Sequence, residues 1–321
     1  MIDRVMVKKY LGQSALLWWG CAVALFFFAW IRVWVVSLLD MQQFKTVLEQ
    51  FRDFEKFAPI QFDQLITYTG RVGMTFDEPI VILCIVVWCV ARGSDVVSGE
   101  LGRGTLEMLL AQPISRGRLL RSHAAVSLLG LLGLVLCIWA GIWVGTQLTT
   151  VEETAAASSW TVPWLGIDLP LSSGPVETVE FRMAEKVDAR IYAASVVNLL
   201  AFGFFLLGLS SMISSADRYR WRTVGAVITF YVVQTVMYGL GKAAEQIGFL
   251  EHLTFLTCYR PQQLTTAAVD PETGGPWRLV AQGSEEWLGP MLFPLILFAL
   301  GVLTYAIAFQ IFRRRDLPAP L

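Results

Sequence analysis

The sequence contains little charge and almost no histidine. Only 16% of its 321 residues are Asp, Glu, Lys or Arg and two are histidine, whereas 55% are hydrophobic. A soluble domain usually has about 25% charged residues. With a mean hydropathy of +0.57, this composition excludes a soluble globule and predicts an all-α polytopic membrane protein.

The usual signatures of enzymes and metal proteins are also missing. There is no Gly-x-x-x-x-Gly-Lys-Ser/Thr, no Gly-x-Ser-x-Gly and no His-Glu-x-x-His, so the sequence predicts neither its own ATP site nor a hydrolytic one. Four of the five cysteines fall in apolar runs and none has metal-ligand spacing. The topology predicted below puts His123 and His252 on opposite sides of the membrane. We therefore expect no catalytic residues, no metal and no cofactor in this chain.

Long apolar runs dominate what is present. Six are near the ~20 residues that a membrane-spanning helix needs. We place the spans at 15–39, 79–97, 122–148, 191–215, 222–241 and 288–312. The first run is too long for the apolar core of a cleavable signal, so we expect it to remain as a span.

The distribution of charge predicts the orientation. With both termini inside, the cytoplasmic segments hold 14 basic and 6 acidic residues, against 10 basic and 20 acidic residues outside. Short cytoplasmic loops carry the excess of Lys and Arg in membrane proteins. The sequence thus predicts a multi-pass protein of a bacterial-type cytoplasmic (inner) membrane with both termini cytoplasmic.

The segments outside the spans differ in character. Residues 1–14 are predicted to form an interfacial helix on the inner leaflet, or else a frayed basic tail. The extracytoplasmic segments 40–78, 149–190 and 242–287 are large. Residues 44–57 have the spacing of an amphipathic helix, and the other two segments favour irregular or short-stranded loops. Such loops could form a cap or the seat of an extracytoplasmic partner.

A few residues within the spans stand out. Arg32 is predicted to reach outward or pair with outer acids rather than contact a substrate. Arg92 and Asp95, spaced i, i+3, are predicted to pair at the inner interface. Gly141 and Gly145 allow a close helix approach, either within the chain or between permease halves, and packing within the chain is the favoured reading.

The polar, glycine-rich segment 98–121 separates the second and third spans. The sequence predicts a short helix from Thr105, as N-cap, to Gln112, stopped by Pro113. Ser115 can cap the next helix. Leu106, Leu109 and Leu110 fall on one helix face. The pattern alone fits equally a docking helix and an ordinary loop helix packed on the inner surface.

This segment resembles a signature of a known family. The residues Glu100, Gly104-Thr105-Leu106-Glu107, Leu110 and Pro113-Ile114-Ser115-Arg116 are similar to the segment between the second and third spans of type-2 ABC transporter permeases. There the segment is the coupling helix, which sits in a cleft of the ATPase subunit. The resemblance implies ATPase coupling by Glu100, Arg103, Thr105, Leu106, Glu107, Leu109, Leu110 and Arg116.

The resemblance also implies a function and partners. The chain would be a single transmembrane permease domain, 1–321, that couples ATP hydrolysis to export. ATP and Mg would be bound by two copies of a separate ATPase subunit, and the second permease half would be the same chain or a paralogue. The partners would further include the lipid bilayer but no nucleic acid. The scarcity of ionisable residues in the spans favours an apolar or lipid-like cargo, or no cargo at all.

Two other readings are open. A non-transporting anchor or mechanotransmission subunit would use the same ATPase coupling to act on an extracytoplasmic partner. A polytopic protein that works without an ATPase would leave the segment 98–121 unexplained.

Overall fold

The structure, a computed structural model, describes residues 4–38, 66–110, 115–154, 159–162, 167–170, 178–270, 274–280 and 288–315. The α-helices are α1 (Arg4–Ser37), α2 (Tyr68–Gly73), α3 (Pro79–Ser94), α4 (Thr105–Leu110), α5 (Arg116–Leu148), α6 (Met183–Lys186), α7 (Ala193–Ala216), α8 (Arg220–Ala243), α9 (Phe249–His252), α10 (Pro261–Val269) and α11 (Leu292–Arg314). A π-helical turn, Asp95–Gly99, and a last helical turn, Glu100–Gly102, continue α3 without a break. Single 3₁₀ turns lie at Met74–Asp77, Ala189–Tyr192, Glu245–Ile247 and Phe255–Cys258.

Six helices in this part of the chain are long and apolar enough to cross a membrane. They are α1, α3 with its continuation, α5, α7, α8 and α11, in the order predicted from the apolar runs. Side-chain hydrogen bonds connect neighbouring segments at one end of this bundle, where Glu100, Arg116 and Arg315 lie. We call it the motif end. The opposite end, where Glu78 and Thr149 lie, is the loop end.

The helices pack as two long pairs linked by α3. Helix α1 runs along α5, and α7 runs along α11. Helix α3 lies between the two pairs. The indole of Trp88 donates a hydrogen bond to the carbonyl oxygen of Ser127 in α5 at 3.1 Å. The thiol of Cys89 donates to the carbonyl oxygen of Gly203 in α7 at 3.2 Å. Helix α8 is peripheral, since only Thr223, Val227 and Gly241 are buried among its 24 residues.

Glycines let α1 and α5 approach closely. A methyl group added at Gly141 would clash with the carbonyl oxygen of Phe26 and lie 2.9 Å from Cβ of Ala29, and one at Gly145 would lie 2.8 Å from Cβ of Val33. Real Cβ contacts are longer than this. The two glycines therefore serve packing within the chain, as the sequence favoured.

Gly141→Leu is expected to separate α1 from α5 and to lower the free energy of unfolding by about 1–3 kcal/mol, the usual cost of overpacking. Thermal unfolding in mild detergent measures the loss. Gly20→Leu is the matched control, because nothing lies within 4 Å of a methyl group added there. Equal stability of the two variants would contradict the predicted role of Gly141.

The first helix differs from its prediction. The structure has one continuous helix, Arg4–Ser37, in place of a separate interfacial helix at 1–14 followed by a span from residue 15. Met6 and Tyr10 are buried and form a small cluster with Val126 of α5. Because these side chains pack against the bundle, residues 4–14 continue the helical axis of the span.

The loop end carries short elements. Strand β1 (Thr150–Thr154) pairs with β4 (Thr178–Arg182), and β2 (Ser159–Val162) pairs with β3 (Ile167–Pro170), both antiparallel. The predicted short-stranded loop is thus present between α5 and α7, whereas the segment after α8, for which the same was predicted, instead contains α9, α10 and two 3₁₀ turns. Arg32 pairs with Glu78 at 3.1 Å, the outer acidic partner that the sequence predicted. The predicted amphipathic helix at 44–57 lies outside the described residues.

Candidate functional site

The segment that links α3 to α5 turns sharply at one glycine. After the helical turn Glu100–Gly102, Gly104 adopts a φ of +70°, a conformation that glycine reaches at no steric cost. Helix α4 then begins at Thr105. The turn places α4 against the end of α3, at the motif end.

Glu100 is fully buried and surrounded by partners from this chain. Both of its carboxylate oxygens lie 2.9 Å from Nζ of Lys9 in α1, and Nη2 of Arg103 lies 3.2 Å away. The hydroxyl of Thr105 donates to the same carboxylate. Glu100 therefore ties α1, the turn and the first residue of α4 to the end of α3.

Asp95 forms a second buried ion cluster one turn earlier. Its carboxylate lies 2.7 Å from Nη1 of Arg103, 3.5 Å from Nη1 of Arg220 in α8 and 3.8 Å from Nη1 of Arg92. The last contact is the i, i+3 pair that the sequence predicted. The hydrogen bond to Asp95, reinforced by Glu100, raises the pKa of Arg103 above its ordinary value, so this guanidinium stays charged.

The two clusters hold more positive than negative charge. Asp95 and Glu100 supply two carboxylates, and they are shared by four cations: Lys9, Arg92, Arg103 and Arg220. The side chains of Arg103 and Arg220 remain 39% and 45% exposed, whereas the carboxylates are buried. The surplus positive charge therefore faces outward.

Ser214 of α7 holds the π-helical turn. The hydroxyl oxygen of Ser214 accepts hydrogen bonds from the backbone N–H groups of Val97, at 3.3 Å, and Ser98, at 3.0 Å. The same hydroxyl lies 3.0 Å from the carbonyl oxygen of Ser94, to which it donates. A buried backbone group without a partner is costly, so these bonds stabilise the irregular turn against α7.

Helix α4 buries one side and exposes the other. Leu106 is fully buried in an apolar cluster with residues of α3, α5 and α11. These are Val96, Val97, Leu119, Leu120 and Phe312. Leu109 is half-buried, and Met108 is 73% exposed. The predicted helix end at Gln112 and the side chains of Glu107 and Leu110 lie outside the described residues.

A short helix fixed between two membrane-spanning helices is therefore the dominant feature of the motif end. Comparison with known families decides what kind of protein carries it: the model of the ABC-2 family transporter protein matches residues 2–317. The chain belongs to the ABC-2 transporter family. A search of curated proteins finds no match.

Membership in the ABC-2 family has general consequences. This ABC-2 transporter protein is a multi-pass membrane protein with a permease role, and the family implies association with an ABC ATPase. The residues between Glu100 and Arg116 resembled those of type-2 ABC permeases, and the family match confirms this resemblance.

The geometry shows what three predicted residues of the ABC-2 protein contact. Glu100 and Leu106 are 0% exposed, so in this conformation both contact the chain itself and neither is available to a partner. Nη1 of Arg116 lies 2.6 Å from the carbonyl oxygen of Arg315 and 3.3 Å from that of Phe312. Arg116 therefore joins the start of α5 to the end of α11.

Two predicted helix caps also differ from the structure. Thr105 is the first residue of α4, and its hydroxyl bonds backward, to the side chain and carbonyl oxygen of Glu100. Ser115 occupies the N-cap position of α5, but its side chain makes no capping hydrogen bond. For Thr105 the predicted partner was wrong, whereas Ser115 is the N-cap residue that the sequence predicted but lacks the side-chain hydrogen bond.

Sequence reasoning missed four residues that build this site: Lys9, Asp95 as a hub, Ser214 and Arg220. Asp95 was predicted to pair with Arg92 alone, and the sequence analysis assigned Ser214 no contact with α3. The available signal was the pair of isolated acids, Asp95 and Glu100, which follow an apolar run. A buried acid needs cationic partners, and the nearest unassigned cations in the other cytoplasmic segments included Lys9 and Arg220.

Proposed function

We propose that this protein is the membrane subunit of an ATP-driven ABC exporter and that α4 is its coupling helix. Two copies of a separate ATPase subunit would bind ATP and Mg, and a second permease half, the same chain or a paralogue, would complete the complex. The observation that carries the proposal is the anchoring of α4, with Met108 outward, by the buried carboxylate of Glu100. The motif end would face the cytoplasm of a bacterial-type inner membrane.

The anchoring supports transmission of movement. A displacement of α4 would reach α3 through the bond between Thr105 and Glu100, and α5 through the packing of Leu106 on Leu119. Glu100 would transmit the displacement to α1 through its ion pair with Lys9. Because buried ion pairs and packed side chains deform little, these helices would move with α4 as one rigid body. Such rigid-body shifts are an established form of conformational switching.

The contact surface for the ATPase would be the outward side of the segment. Met108 provides exposed apolar area, and the guanidinium of Arg103, in the turn that precedes α4, is partly exposed. An apolar anchor surrounded by charge is typical of the residues that dominate a protein interface. Arg103 and Glu107 would set register and partner choice.

Met108→Asp is expected to weaken ATPase association by about 2 kcal/mol, or about 30-fold, because truncated interface anchors cost at least that much. The test is co-purification, in mild detergent, of the tagged chain with the ATPase encoded beside it. Met108 is largely exposed, so the substitution leaves the fold intact.

Leu253→Asp is the matched control, an exposed apolar residue at the loop end that is 64% accessible. Retention of the ATPase by both variants at the wild-type level would count against α4 as the coupling helix. Absence of an ATPase partner even from the wild-type chain would remove the proposed function altogether.

A further inference from the structure

Three residues toward the motif end bury polar atoms that have no hydrogen-bond partner. These atoms are Nε and Nη2 of Arg92 in α3, Nε2 of His123 in α5 and the hydroxyl of Tyr10 in α1. Within the part of the chain that the structure describes, none of them has a partner. The three residues are 3%, 1% and 0% exposed. Buried polar groups are nearly always satisfied by protein, water or an ion, so these atoms indicate a ligand.

The three side chains come from different helices and lie close together. The rings of Tyr10 and His123 meet edge to face, with their centroids 4.8 Å apart. The guanidinium of Arg92 lies within electrostatic range of both rings. Nδ1 of His123 lies 3.4 Å from the hydroxyl of Ser127. With Nδ1 as the acceptor of that hydroxyl, the neutral imidazole carries its proton on Nε2, so all three residues offer donors.

Arg92 is also the least compensated cation around Asp95. Their closest atoms are 3.8 Å apart, whereas the same carboxylate lies 2.7 Å from Arg103 and 3.5 Å from Arg220. Arg103 and Arg220 are partly exposed, but the side chain of Arg92 is only 4% exposed, so water does not screen its charge. A buried charge costs far more than a buried dipole. A water molecule would accept the hydrogen bonds and leave the charge, whereas an anion would answer both.

We infer that Arg92, His123 and Tyr10 form a buried site for a small inorganic anion, chloride. The three residues are almost fully covered by protein, which favours a monatomic anion over a larger one. Such an anion accepts hydrogen bonds from several directions at once. It would tie α1, α3 and α5 together about two helical turns before Glu100 along α3, and it would reduce the surplus of positive charge at this end.

The test is thermal unfolding of the full chain in mild detergent, without an ATPase. Sodium chloride replaces sodium gluconate at constant total salt, so that screening by salt does not change. For a dissociation constant of about 10 mM, about 150 mM chloride should raise the unfolding temperature by about 2–3 °C along a saturable curve. Crystals grown in sodium bromide should show an anomalous peak in contact with the guanidinium of Arg92.

Tyr10→Phe removes one donor and keeps the ring that packs on Met6 and Val126. It should weaken chloride binding about tenfold, the loss of one hydrogen bond to a charged group. Tyr192→Phe is the matched control. Tyr192 is also 0% exposed, but its hydroxyl donates to the carbonyl oxygen of Thr69 at the loop end. It should lower stability and leave the response to chloride unchanged.

Arg92→Gln removes the cation and should abolish the response to chloride. Asp95 keeps Arg103 and Arg220 as partners in this variant. Arg314→Gln, which removes an exposed cation at the motif end, should respond like the wild type. If Arg92→Gln elutes as aggregate, the comparison of Tyr10→Phe with Tyr192→Phe decides.

Several outcomes would overturn the inference. Equal unfolding temperatures of the wild type in chloride and gluconate would mean that water alone satisfies the three residues. An equal response of Tyr10→Phe and Tyr192→Phe, or a bromide peak only elsewhere, would remove the site. Anion binding by the isolated chain needs no ATPase. A negative result therefore leaves the proposed function standing, and Met108→Asp should leave the chloride response unchanged.

Discussion

Replacing Glu100 by alanine is expected to lower the free energy of unfolding of this protein by about 3–5 kcal/mol, the cost of removing one partner from a buried ion pair. The carboxylate is fully buried and faces Lys9 and Arg103. Without it, the surplus of positive charge at the motif end grows, and the hydroxyl of Thr105 loses its acceptor. We expect a large drop in thermal stability in mild detergent.

Glu100→Gln separates charge from hydrogen bonding in this test. The amide oxygen of the glutamine can still accept a hydrogen bond from Thr105. The free energy of unfolding should therefore fall less in Glu100→Gln than in Glu100→Ala. Arg314→Ala is the control for removal of an exposed charge at the same end and should change stability little. Unfolding temperatures of Glu100→Ala and Arg314→Ala that coincide would show that the network around Glu100 contributes nothing.

Leu106→Asp is expected to be equally damaging, for a different reason. Truncating a buried leucine costs about 2–5 kcal/mol, and the aspartate adds a charge with no partner in an apolar cluster. That cluster joins α4 to Leu119 of α5 and Phe312 of α11. The variant should give a low yield of monodisperse protein and an early thermal transition.

Leu106→Met keeps the volume and should cost less than about 1.5 kcal/mol. A Leu106→Asp chain as stable as Leu106→Met would mean that Leu106 is not buried in solution. The burial of Leu106 also decides which variant can test ATPase binding. Loss of an ATPase from Leu106→Asp would report unfolding of the motif end, whereas Met108→Asp tests the contact itself.

The six spans and the position of the segment between the second and third could be predicted from sequence. Both follow from local composition, because about 20 consecutive apolar residues or a polar, glycine-rich insert are visible without knowledge of distant contacts. The pair of Arg92 and Asp95 was predictable for the same reason, since its spacing along one helix fixes its geometry.

The role of each residue in the segment was not predictable in that way. Glu100 is paired with Lys9, which lies 91 residues away in the chain, and only the packing of α1 on α3 and α5 brings them together. The helical spacing put Leu106 and Leu109 on one face, but it did not say whether that face meets the bundle or a partner. The structure turns it toward α3, α5 and α11 and leaves Met108 outside.

The π-helical turn Asp95–Gly99 has a mechanical consequence. It holds one residue more than an α-helical turn, and its hydrogen bonds to Ser214 keep it in place. If those bonds broke and the turn tightened by one residue, everything after Gly99 would rotate by about 100° about the helix axis and shift along it by about 1.5 Å. A movement of α4 that tightened this turn would therefore rotate α4 relative to the part of α3 that lies within the membrane.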